Sequence, residues 1–124
     1  MPTALVLLAE GFEEIETSTV VDVLRRAEVQ VTLAGIHGSA PALGSRGMRF
    51  VPDVAFDEAE TDVDLLVLPG GGQGAENLAD DARVRALLRE RVDAGRTVAA
   101  ICAAPFALDQ AGVLPTGGFT CYPG

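Results

Sequence analysis

A chain of 124 residues, 48% of them apolar, has the material for a single domain with its own core. Its net charge of −9 argues against polyanion binding, since phosphate contacts need clustered Lys and Arg. No apolar run approaches the ~20 residues that span a bilayer, and the start lacks the basic, cleavable pattern of a signal peptide. The two cysteines show no metal-ligand spacing, so a reducing, cytoplasmic setting with no metal, cofactor, nucleic acid or membrane is expected.

Residues 4–9 are continuously apolar, the pattern of a central parallel strand. After Glu10-Gly11-Phe12 the chain enters a helix through Glu13, Glu14, Ile15 and Glu16. Val20, Val21, Val23, Leu24 and Ala27 follow at helical spacing. Arg25 and Arg26 suit the negative end of that helix and the early carboxylates its positive end, which is the reading given to Glu14. Residues 29–35 alternate and are β-branched, giving a second strand. His37, the only histidine, falls in the next loop and reads as solvated. Residues 42–52 read as a small hairpin or edge excursion around Gly-Ser-Arg-Gly, and residues 57–62 as an acidic exposed connection.

Residues 64–68 form a third buried strand, ending in Pro69-Gly70-Gly71-Gly72-Gln73-Gly74. Such a cluster lets backbone amides approach a ligand, but tight turns that need positive φ explain it equally well. Neither the G-x-G-x-x-G nor the P-loop spacing is present. Asp80 or Asp81 caps a helix that turns Val84, Leu87, Leu88 and Val92 inward, and Gly95 stops it. Residues 97–101 read as a fourth strand buried on both faces, and residues 103–111 as a helix with Pro105 in its first turn.

Cys102 stands at the hinge between that strand and that helix. A sulfur facing a helix start and free amides is expected to favour thiolate, although an inert core cysteine is the plainer reading. Strands alternating with helices imply a parallel α/β sheet, and a strand order 2-1-3-4 sets strands one, three and four side by side. The early carboxylates, the glycine amides and the thiol then share one crevice beyond the carboxyl ends of the strands.

The segments Ala-Leu-Val-Leu-Leu-Ala-Glu-Gly-Phe-Glu-Glu-Ile-Glu-Thr, Val-Leu-Pro-Gly-Gly and Ala-Ala-Ile-Cys-Ala-Ala-Pro, in that order, resemble the ThiJ/PfpI superfamily. The likeness is to its DJ-1 branch and covers essentially residues 1–124. It implies a flavodoxin-like parallel sheet sandwiched by helices, a homodimer, and a reactive cysteine at a strained elbow. By position, Cys102 matches the nucleophile, Glu16 the acid bonded to its sulfur, and Glu13 a second glutamate nearby. Gly70, Gly71 and Ala103 match amides that line the pocket, and Arg46 an arginine near the dimer seam and anion site.

Two departures stand out. Tyr122 occupies a position often filled by His, and Ala103 follows Cys102 where the peptidase branch has His, so no Cys–His pair forms there and a protease is disfavoured. The chain is also short for the resemblance, as the N-terminal two thirds of one domain. The C-terminal part is expected on a companion fragment.

The resemblance implies a cysteine-dependent enzyme for small reactive carbonyls, of the glutathione-independent glyoxalase or deglycase type, with a role in oxidative stress. Cys102 would attack the aldehyde, and Glu16, its carboxyl held protonated by burial and the thiolate, would shuttle protons. The amides of Gly70, Gly71 and Ala103 would hold the oxyanion, and Tyr122 or water would finish the relay. The alternatives are a redox sensor or chaperone-like protective protein, in which Cys121 could resolve an oxidised Cys102, and an anion- or nucleotide-binding module on residues 70–74.

Overall fold

The computed structural model describes residues 1–114. The main sheet is built from β1 (Thr3–Leu8), β2 (Gln30–Gly35), β5 (Val54–Ala55), β6 (Leu65–Leu68) and β7 (Thr97–Ala100). Their order is β5-β2-β1-β6-β7 and every pairing is parallel. The four longer strands therefore run in the anticipated order, with β1, β6 and β7 adjacent. A separate antiparallel pair, β3 (Ala42–Leu43) and β4 (Arg49–Phe50), forms the hairpin expected around Gly-Ser-Arg-Gly. The architecture is flavodoxin-like.

Among the described residues, one helix covers one face and three cover the other. On the first face, α1 (Glu14–Arg26) lays Val20, Val21 and Leu24 on Ala4, Val6 and Leu8 of β1. On the second, α2 (Gly72–Asp80), α3 (Ala82–Asp93) and α4 (Pro105–Gln110) pack Leu78, Leu88 and Ala107 onto Leu5, Leu7 and Leu66. Alternate residues of β1 thus point into two separate cores, which is why that strand is apolar without a break. Fully burying each leucine contributes about 1.5–3 kcal/mol.

Three expectations need correcting. Residues 72–74, read as part of the glycine cluster, open the helix α2, because Gly71 at φ 102 turns the chain straight from β6 into it. Glycine's poor helix propensity hid that start. The fourth strand is not buried on both faces: Thr97 and Ala99 are exposed, while Val98 and Ala100 lean on the core. The strand is the last of the described sheet, and α3 and α4 lie against one face only. The helix after Cys102 begins at Pro105 rather than residue 103, leaving a tight turn over residues 102–104.

Two smaller features complete the frame. Residues 54–58, missed as structure, supply β5 and a single 3-10 turn whose Phe56 is buried. Asp81, of the two candidates, caps α3, accepting from the amides of Arg83 and Val84. Arg91, near the end of α3, is only 3% exposed and donates to the carbonyls of Val63 and Thr97, both over 2.8 Å. It bolts α3 to the entry points of β6 and β7.

Candidate active site

The carboxyl ends of β1, β6 and β7 each run into a short loop, and parallel pairing brings the three loops together. The loop after β6 is tied to the one after β1 by Glu13 N–H donating to Gly70 O over 2.9 Å. The amide of Ile101, at the end of β7, donates in turn to Leu68 O over 3.2 Å. Glycine is required at the seam. A Cβ on Gly71 would overlap the Gly11 carbonyl and come within 2.8 Å of Glu13 N.

Cys102 lies in the turn that follows β7, with φ 60. That left-handed conformation is uncommon for a side chain bearing a Cβ and costs roughly 1–2 kcal/mol. It tips the half-buried side chain back toward Glu16, which stands in the first turn of α1. The Cys102 side chain stands beside the Glu16 carboxyl, across the space that Gly70 leaves open, and the amides of Ala103 and Gly71 act on its thiol. Gly70 N–H holds Glu16 Oε1 over 2.9 Å. A Cβ on Gly70 would overlap that oxygen and lie 2.7 Å from Cys102 Cβ.

Burial above all, then the bond to Glu16 and its negative charge, push the Cys102 thiol above its ordinary value. The amides of Ala103 and Gly71 pull the other way and do not prevail. The expectation that the fold favours thiolate therefore fails for the resting pair. Helix α4 is short and starts three residues beyond the sulfur, and an acid side chain sits beside it instead. The amide contributed by Gly71 belongs to the start of α2, the helix absent from the sequence reading.

Other anticipated groups take different places. The amide of Gly70 is committed to Glu16 rather than left free for an oxyanion, so Gly71 and Ala103 are the pair facing the sulfur. Glu13 caps its own helix, its Oε2 accepting from Glu16 N over 2.7 Å, and so aligns Glu16 instead of reaching into the crevice. Arg46 lends its backbone amide to Glu14 over 2.8 Å and leaves its side chain exposed. Cys121 and Tyr122 lie outside the described residues. His37 is exposed in its loop.

The sequence reading missed the place of Glu14. It is 5% exposed and accepts from the amides of Arg46 and Met48 and from Ser45 Oγ. Although burial acts to raise it, those bonds hold its carboxyl below the ordinary value. Charge at a helix start was an adequate account of Glu13, Glu14 and Glu16, and only the position of the hairpin separates their roles. Among the described residues, no cluster of His, Cys, Asp and Glu could hold a metal ion, and no helix is long and apolar enough to cross a membrane.

A sequence profile of the DJ-1/PfpI family matches residues 2–124. The chain belongs to the DJ-1/PfpI family. It is 43% identical over 122 residues to Protein DJ-1alpha of Drosophila melanogaster, covering 97% of this chain and 56% of that protein. It is 38% identical over 114 residues to the glutathione-independent glyoxalase DJR-1.2 of Caenorhabditis elegans, covering 90% and 60%. The crystal structure of Drosophila melanogaster DJ-1beta superposes with a TM-score of 0.88 at 42% identity, covering 90% of this chain and 61% of that one. The chain thus spans less than two thirds of the length of these relatives.

Proposed function

We propose that Cys102 and Glu16 form the reactive pair of an enzyme acting on small reactive carbonyls, of the glutathione-independent glyoxalase type. The observation that carries this reading is the Cys102 side chain set beside the Glu16 carboxyl at a positive-φ turn, with the Gly71 and Ala103 amides acting on the same sulfur. The glyoxalase name of a 38% identical relative supports the choice of substrate class.

With methylglyoxal as substrate, Cys102 Sγ bonds to the aldehyde carbon as its proton passes to Glu16. The carbonyl oxygen becomes the oxyanion of a hemithioacetal, facing the Gly71 and Ala103 amides, and then takes up a proton. Glu16, returned to carboxylate, removes the hydrogen of that carbon as a proton, and a proton is delivered to the adjacent carbon. The product is a lactoyl thioester on Cys102, which water cleaves to lactate and free thiol. One methylglyoxal and one water give one lactate, with no net oxidation. Water or Tyr122 completes the relay, in the absence of a histidine at position 122 or 103.

A thiol held above its ordinary value suits a nucleophile that is deprotonated as substrate arrives more than a free-standing oxidant sensor. The sensor reading keeps one support: Sγ is half-buried rather than sealed, and Glu16 could bond an oxygen placed on it. Lactate formation from methylglyoxal separates the two. Loss of that activity in Cys102→Ala supports the enzyme. Full activity in the same variant overturns it, and a gain of two oxygens on Cys102 under mild peroxide without any native turnover favours the sensor.

The homodimer belongs to the same proposal. Ile15 of α1 and Met48 beside the β3–β4 hairpin are 73% and 57% exposed, large apolar side chains suited to a partner surface.

A further inference from the structure

Outside the sulfur's immediate partners, one buried ionised group adjoins the candidate site without touching it: Glu14. Its carboxylate is enclosed by the hairpin turn, with Oε2 accepting from Arg46 N–H at 2.8 Å and Met48 N–H at 3.2 Å, and Oε1 from Ser45 Oγ at 3.2 Å. Gly44 makes room for it, since a Cβ there would overlap Oε2 and lie 2.8 Å from Glu14 Cγ. The same turn is fastened to the start of α1 by Ser45 N–H donating to Phe12 O over 2.8 Å.

Residues two apart on a helix project to nearly opposite sides. The first turn of α1 is therefore gripped on one side through Glu14, by the hairpin, and on the other through Glu16, by Gly70 and Cys102. A rotation of that turn which loosened Glu14 would carry Glu16 away from the sulfur. We propose that Glu14, seated against Gly44, is a positioning residue that fixes the reach of Glu16 to Cys102. The proposal rests on Cys102 and Glu16 being the reactive pair. Its test reads ionisation of the sulfur and not turnover, so a failed glyoxalase assay leaves it standing or falling on its own result.

Among the groups that act on the sulfur, Glu16 is the ionisable one; Glu13 is occupied with its own helix. Displacing Glu16 removes an influence that raises the thiol, so the Cys102 titration moves down and alkylation at neutral pH speeds up. The experiment is the pH profile of iodoacetamide alkylation of the full chain, resolved to Cys102 by peptide mass. Glu14→Gln and Gly44→Ala are each expected to raise the rate at neutral pH roughly threefold or more. Neither is expected to add anything in a Glu16→Gln background. A native profile in variants with unchanged circular dichroism, or an equal effect in the Glu16→Gln background, overturns the proposal. If Glu14→Gln fails to fold, Ser45→Ala, which removes one of three donors, is read by the same criteria.

Discussion

The amide of Gly70 donates to Glu16 Oε1 over 2.9 Å, and the side chain that Gly70 lacks is what lets Cys102 stand beside that carboxyl. One residue thus supplies a bond and a vacancy at the same point. Gly70→Ala should leave the sheet assembled yet force Glu16 and Cys102 apart. A displacement of about 1 Å lowers a Cys102-dependent rate by roughly 100-fold. Lactate assay beside a thermal melt checks this, and near-native turnover would show that the gap is not needed.

Glu16→Gln keeps the shape of the side chain but removes its charge and proton-carrying capacity. Turnover should fall roughly 100-fold or more, as loss of a general acid–base does. Alkylation of Cys102 at neutral pH should rise, because the anion that raises the thiol is gone. The opposite signs are the useful part: a variant that lost both would point to misfolding.

The raised thiol also makes stability depend on pH. Folding favours the protonated sulfur, so its contribution is fully present below the ordinary value of 9.0 and is lost as pH rises through the folded value. Native protein should therefore lose more stability than Cys102→Ala on going from neutral pH to beyond 9. Denaturant melts of the two at both pH values provide the measurement, and parallel losses would contradict the shift.

Backbone strain is separable from thiol chemistry. Cys102 and Glu28 are the described residues other than glycine with positive φ, at 60 and 65. Glu28 is exposed and follows α1 where glycine is the common choice. Glu28→Gly should stabilise by about 1 kcal/mol, and Cys102→Gly should exceed Cys102→Ala by a similar amount. Thermal melts decide both. If Ala and Gly at position 102 melt together, the turn is not strained.

Arg91 should be among the costliest surface-remote truncations. Arg91→Ala strips donors from the carbonyls of Val63 and Thr97, leaving Val63 O to Arg96 alone, and should cost about 2 kcal/mol. Arg91→Lys should recover part of this, since an ammonium reaches fewer carbonyls than a planar fork. Equal melting of native and Arg91→Ala would mean that water replaces the lost bonds.

Strand positions and order were legible because buried parallel strands are unbroken apolar runs, as in residues 4–9 and 65–68. The helix at residues 72–80 was not, because Gly72 and Gly74 in its first turn mask the periodicity, Gly74 being the one packed closely against Gly11. The site divides the same way. Cys102 and Glu16 were legible from motif position, but the roles of Glu13, Glu14 and Gly70 depend on which amide each side chain meets. Three glutamates within four residues look alike in a string of letters. In the folded chain they face a helix amide, a hairpin and a sulfur.

The sulfur and its acid come from opposite ends of the described chain and meet only once β1, β6 and β7 lie in register. During refolding from denaturant, the rate at which Cys102 is alkylated becomes a clock for the docking of distant segments. It reports the moment at which β7 takes its place beside β6.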